Sequence, residues 1–164
     1  RDDTMFGQST LSIGALAPDF TLQSQKREAV KLSDFRGKKT VVLFFYPKDD
    51  TLVCTAESCA FRDRYDTFVE AGAEVIGVSA DSEGSHADFA QKHRLPMTLL
   101  SDPGGQTAAR YGVKPVLGLL PGRVTFVIDR DGVVRHAFSS QLRAGKHVEE
   151  ALAVVRRLEA SGRG

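Results

Sequence analysis

The sequence predicts an α/β fold built on a central mixed β-sheet flanked by helices. Three observations predict it. KTVVLFFYP, residues 39–47, is an unbroken apolar run rich in β-branched and aromatic residues, the composition of a strand buried on both faces. Runs of this kind alternate with helical patterns through the first two thirds of the chain. A pair of strands joined by a tight turn then leads into a long amphipathic helix.

With 164 residues the chain suits one domain with a single core. We expect an arm over 1–12, the domain over 13–160 and a short tail over 161–164. Within DFTLQSQKREAVKLSDF, residues 19–35, apolar-alternating pieces surround the polar centre SQKRE, which reads as an N-terminal hairpin extension. The strand at 39–47 follows and is stopped by Pro47.

CTAESCAFRDRYDTFVEAG, residues 54–72, reads as one helix. Phe61, Tyr65, Phe68 and Val69 recur at the spacing of one buried face, and Gly72 is placed to end it. AEVIGVSAD is a second buried strand, SHADFAQKHR a short helix, MTLLSD a brief strand and GQTAARYGV another short helix after the DPGG turn. RVTFVID and VVRHAFSS pair across the turn RDG. The last helix, KHVEEALAVVRRLEA, aligns Val148, Ala151, Leu152, Val155 and Leu158 on one face. A βαβ half followed by a ββα half is the order of a thioredoxin-like fold.

Charge excludes several function classes. The 22 basic and 21 acidic residues are interspersed and leave a net charge of +1, which argues against a nucleic-acid surface or a polybasic membrane anchor. The longest apolar stretch is too short to span a bilayer. Two cysteines do not make a disulfide scaffold, and the absence of asparagine removes any N-glycosylation sequon.

Those two cysteines, Cys54 and Cys59, carry the chemistry. Their spacing is too wide for a CxxC pair. Cys54 follows a strand and a loop at the first turn of a helix, where unpaired N–H groups and the helix dipole favour the thiolate. Asp50 and Thr51 precede it as candidate caps. Free cysteine is also a common core residue, and for Cys59 alone the two readings weigh about equally. Five positions along a helix turn about 140° and separate the Cα atoms by roughly 8 to 9 Å. A disulfide needs about 4.4 to 6.8 Å. Either Cys59 is structural, or the first turns unwind when the two thiols join.

YPKDDTLVCTAESCAFRD, with Pro47, Thr51, Cys54 and Cys59 in register, resembles the peroxiredoxins, and within them the Q-type group related to the bacterioferritin comigratory proteins. AGAEVIGVSAD, LPMTLLSD, LPGRVTFVIDRDGVV and KHVEEAL match the same group in the same order, so the resemblance covers about residues 13–158. It implies a thiol-dependent peroxidase acting on hydrogen peroxide and small organic hydroperoxides. Cys54 would become a sulfenic acid, Cys59 would condense with it to an intramolecular disulfide, and thioredoxin or a similar dithiol would reduce that. Thr51 carries over as the hydroxyl that bonds thiolate and peroxide, Pro47 as the shield of the site, and Arg123 as the fixed donor to developing charge. No cofactor or metal is implied.

Leu52 and Val53 depart from the pattern, standing where relatives often carry proline and glycine or valine. The chain has no cysteine near its C-terminus, no GGLG segment and no C-terminal Tyr-Phe, so we expect a monomer resistant to over-oxidation. GLLPGRVTFVID resembles plant members. With a first residue other than methionine, it leads us to expect a plastid protein if the source is photosynthetic, and a cytoplasmic one otherwise. A peroxide sensor passing its oxidation to a partner, and a thioredoxin-type dithiol–disulfide oxidoreductase, are the alternatives.

Other residues read as structure. His86 and His93 are expected on the exposed face of a short helix, and the four histidines show no metal-ligand spacing. Glu57 could tune Cys54 but reads as a solvated helix-face carboxylate. Leu117 to Leu120 form either a docking surface near Arg123 or a packed loop. Phe44, Phe45 and Phe126 are core by pattern, Phe45 with a possible second role as a wall of the site.

Overall fold

The computed structural model describes residues 10–113, 122–140 and 143–162. The Leu117–Leu120 segment and the first nine residues of the arm lie outside that set. Among the described residues, seven strands form one sheet: β1 (Thr21–Ser24), β2 (Ala29–Lys31), β3 (Thr40–Phe45), β4 (Ala73–Ser79), β5 (Thr98–Ser101), β6 (Val124–Ile128) and β7 (Val134–Ser139). Their order across the sheet is β2-β1-β5-β4-β3-β6-β7. β3, β4 and β5 run parallel, while β6 and β7 and the N-terminal hairpin β1–β2 pair antiparallel. Five α-helices among the described residues flank the sheet: α1 (Leu52–Asp63), α2 (Tyr65–Glu70), α3 (Glu83–His93), α4 (Gln106–Arg110) and α5 (Ala144–Ala160). This is the mixed α/β architecture and element order expected.

The setting of the central strand explains why its sequence is apolar from Val41 onwards. All six residues of β3 are buried. Side chains alternate between the faces of a strand, so Val42 and Phe44 join one core with Phe61, Phe68, Phe89 and α5, while Val41, Leu43 and Phe45 join another with Tyr111 and Phe126. A strand covered on both sides leaves little room for polar residues, and in β3 only Thr40, at its start, is one. The stripe on α5 is buried as its periodicity implies.

The helix expected over 54–72 is two helices. Arg64 leaves helical geometry at φ −112° and ψ 9°, and α2 starts again at Tyr65. The break turns Tyr65 towards β4, where its hydroxyl donates to Glu74 Oε2 at 2.9 Å. Phe61 and Phe68 still meet in the core with centroids 5.8 Å apart, but the phase change leaves Val69 42% exposed instead of buried. Gly72 closes α2 at φ +84°, the left-handed conformation glycine adopts without strain.

Candidate active site

The sequence directs β3 straight at the site. β3 ends at Phe45, Pro47 opens a loop that runs to Thr51, and α1 opens at Leu52 with Thr51 at its N-cap. Cys54 is therefore the third residue of the helix, within reach of its unpaired amides, and the first turn contains no acidic side chain. Cys54 is fully buried and packs in the core formed with α5; Cys59 is half-buried on the same helix. Both thiols are free. Since α1 is continuous from Leu52 to Asp63, the pair keeps the helical separation that forbids a disulfide.

Arg123 meets the sulfur. It stands just before β6, 3% exposed, and its Nη2 donates to Cys54 Sγ at 3.1 Å. Its Nη1 donates to Glu57 Oε1 at 2.8 Å. The planar fork of arginine spans both acceptors at once, which a lysine could not do. Glu57 is thus no solvated helix-face carboxylate but a wholly buried group, one helical turn beyond Cys54, on the other side of the same guanidinium.

A second buried residue lies behind Glu57. His147, on α5, donates from Nε2 to the Ser140 carbonyl at 2.9 Å, and its Nδ1 is 2.7 Å from Thr125 Oγ1. Burial pushes this imidazole down to about 4, so it is neutral and Thr125 donates to Nδ1. Burial pushes the Glu57 carboxyl up to about 7, although Arg123 opposes the shift. Cys54, Arg123, Glu57 and His147 form one continuous buried file.

Pro47 and Thr51 are close by in the loop. Thr51 does not cap α1 with its side chain. Its hydroxyl donates to the Lys48 carbonyl at 3.0 Å. Nor does Asp50 cap the helix: it sits in left-handed backbone at φ +63° and pairs on the surface with Lys92 at 3.2 Å and His93 at 3.5 Å. Pro47, with Phe45, Tyr46, Val78, Ala80 and Gly122, lines a cavity of about 310 Å³ at the strand ends. Leu52, the first departure from the resemblance, projects into solvent at 88% exposure.

His86 is also not where its helix pattern put it. It is fully buried, and His93 is 21% exposed. His86, Asp49 and Asp81 bring ligating atoms within 4.8 Å of one another, a grouping that spacing in the sequence does not reveal. The partners are 37 residues apart.

The AhpC/TSA family profile matches residues 13–137. The chain is 48% identical over 149 residues to the chloroplastic peroxiredoxin Q of Triticum aestivum, covering 90% of this chain and 68% of that protein. It is 45% identical over 160 residues to the chloroplastic peroxiredoxin Q of Sedum lineare, covering 97% and 84%. The crystal structure of the peroxidoxin BcpB of Mycobacterium tuberculosis superimposes with a TM-score of 0.83 at 39% identity, covering 90% of this chain and 98% of that one. The chain belongs to the AhpC/TSA family and, within it, to the thiol-dependent peroxidases of the peroxiredoxin Q group.

Proposed function

We propose that Cys54 is the residue that attacks the peroxide and Cys59 the one that resolves the product. The observation that carries this is the 3.1 Å contact from Arg123 Nη2 to Cys54 Sγ at the start of α1. A cationic donor there stabilises negative charge on sulfur and on the oxygen that leaves. The thiolate attacks the O–O bond. One oxygen stays on sulfur as sulfenic acid, and the other departs as alkoxide or hydroxide and takes up a proton. The Cys59 thiol then condenses with the sulfenic acid, forming the disulfide and releasing water. An external dithiol reduces that disulfide and is itself oxidised.

The condensation requires α1 to uncoil near Cys54. Thr51, one turn before the sulfur, exchanges the Lys48 carbonyl for a peroxide oxygen by rotation about its Cα–Cβ bond. Pro47 covers the loop side of the site. Thioredoxin is the reductant we assign, because a disulfide in an uncoiled segment is open to a dithiol protein. We assign a monomer, since both cysteines of the cycle lie on one chain. Plastid residence follows from the kinship with the two plant proteins, should the source be photosynthetic. No helix among the described residues is long and apolar enough to cross a membrane.

The test is intact mass and thiol count after one equivalent of hydrogen peroxide, on the native chain and on Cys59→Ser. Loss of two hydrogens and both thiols in the native chain, with a trappable sulfenic acid in Cys59→Ser, is the expected result. Two unmodified thiols would overturn the assignment. Turnover with thioredoxin separates a peroxidase from a sensor, whose oxidation is fast but not recycled.

A further inference from the structure

We propose that Asp49 and His86 are positioning residues of this reaction: their buried pair fastens the loop of residues 47–51 to α3, and so favours the coiled arrangement that reacts with peroxide over the uncoiled one that forms the disulfide. The inference rests on the roles given to Cys54 and Cys59.

Asp49 is the buried residue of that loop, between exposed Lys48 and exposed Asp50. Its carboxylate collects three donors. Tyr46 Oη donates to Oδ1 at 2.6 Å, and Ser85 Oγ donates to Oδ2 at 2.8 Å. His86 Nδ1 reaches Oδ2 at 2.7 Å. The amide of Asp49 donates to Asp81 Oδ2 at 2.8 Å, which also receives Ser79 Oγ at 2.6 Å. On the far side of the imidazole, Nε2 lies 2.9 Å from the Leu100 carbonyl. The two ring nitrogens thus face a carboxylate on one side and a backbone carbonyl on the other. One side chain thus ties α3 to β5 and to the loop.

The charged and titratable groups around this pair come from every packed element: Tyr46 from the end of β3, Asp81 from the loop after β4, and the surface pairs of Asp50 with Lys92 and His93 of α3. Both consecutive acids of the loop therefore reach α3, one inside and one outside. The exposed pairs hold weakly. Removing one partner of a buried, hydrogen-bonded pair leaves the other uncompensated, so the grip on the loop resides in Asp49 and His86.

That grip bears on the chemistry through the backbone. Asp50 keeps a left-handed φ of +63°, a backbone conformation that few residues besides glycine, asparagine and aspartate adopt. The next residue, Thr51, starts α1, and Cys54 meets Arg123 three residues on. Loosening the loop lets Asp50 leave this conformation, frays the first turn and withdraws the sulfur from the guanidinium. It also moves the helix towards the state Cys59 requires.

The experiment measures the two steps separately by rapid mixing. Sulfenic acid formation is followed in Cys59→Ser, with and without His86→Gln, and disulfide closure in the native chain with and without His86→Gln. The expected result is a peroxide step about ten- to a hundredfold slower with disulfide closure unchanged or faster. Tyr46→Phe and Ser85→Ala each remove one donor to Asp49 and keep the imidazole. They give a smaller change in the same direction and keep the proposal testable if His86→Gln fails to fold. Equal slowing of both steps, or no change in either, would overturn it. If Cys59→Ser alone yields no sulfenic acid, the peroxidase assignment of Cys54 fails instead, independently of the loop.

Discussion

Glu57 Oε2 lies 3.4 Å from His147 Nδ1 and takes no hydrogen bond, although both side chains are wholly buried. The other oxygen, Oε1, is held by Arg123. The neutral imidazole turns a lone pair towards this region and offers the carboxyl nothing to accept. Arg123 is thus a single cation between two groups that can carry negative charge, Cys54 and Glu57. Burial favours the protonated form of Glu57, since a site this dry holds one anion per cation far more readily than two.

Opposed pH effects on stability follow. The Glu57 carboxyl is raised from 4.5 to about 7, so the fold prefers its protonated form. The stability it contributes is complete below 4.5 and is lost as pH rises towards about 7. The His147 imidazole is lowered from 6.5 to about 4, so its contribution is complete above 6.5 and is lost as pH falls. Urea midpoints across this range should fall on both sides of a maximum. In Glu57→Gln the decline on the alkaline side should disappear while the acidic one persists. An unchanged alkaline decline would show that another group causes it.

Replacing Arg123 with lysine should slow sulfenic acid formation by about 10²–10³-fold, the usual effect of losing one positioned donor. Lysine keeps the charge but cannot span Cys54 Sγ and Glu57 Oε1 together. Stopped-flow measurement on Cys59→Ser with and without Arg123→Lys isolates the step. A rate within a few-fold of the parent would mean that charge alone suffices.

Much of this architecture can be read from the sequence, for a definite reason. β3 is apolar from Val41 to Phe45 because both faces are covered, and α5 shows its stripe because one face is. Cys54 and Thr51 are local to a strand–loop–helix junction, so the sequence shows their setting. Glu57, His86 and His147 were unreadable because what buries them is remote. Arg123 is 66 residues from Glu57, Asp49 is 37 from His86 and Thr125 is 22 from His147. A polar residue on a helix pattern defaults to solvent unless its partner is known. The exposure of Val69 has the same origin: nothing in the periodicity marks the break at Arg64.

The α1 side of the core depends on a glycine. A Cβ placed on Gly77 of β4 would lie 2.7 Å from Phe44 Cζ and 3.0 Å from Leu99 Cδ2. Phe44 in turn stacks on Phe61 of α1 with centroids 4.5 Å apart, so it has nowhere to retreat. Gly77→Ala should destabilise the protein by about 1–3 kcal/mol, as overpacking does. Urea denaturation checks this, and a loss of under about 0.5 kcal/mol, the range of neutral surface substitutions, would show that the ring can shift.

The three tyrosines provide a readout that needs no engineered probe, which matters in a chain without tryptophan. Burial pushes all three phenols above their ordinary value of 10.0. Tyr46, also facing Asp49, lies well above it, Tyr65 is raised to about 12 with Glu74 beside it, and Tyr111 is raised as well. In an unfolded chain each would ionise near pH 10. The native protein should therefore show almost no phenolate absorbance at that pH, while the urea-unfolded protein shows three phenols half ionised. The raised values also fix the sign of the alkaline limb: the native state holds protons the unfolded chain releases, so stability falls as pH rises through 10. Tyr65, the least buried of the three, should ionise first, and Tyr65→Phe should remove the earliest part of the native titration. An early phase that survived Tyr65→Phe would instead place the first ionisation at Tyr46 or Tyr111, and with it an opening of the core around β3.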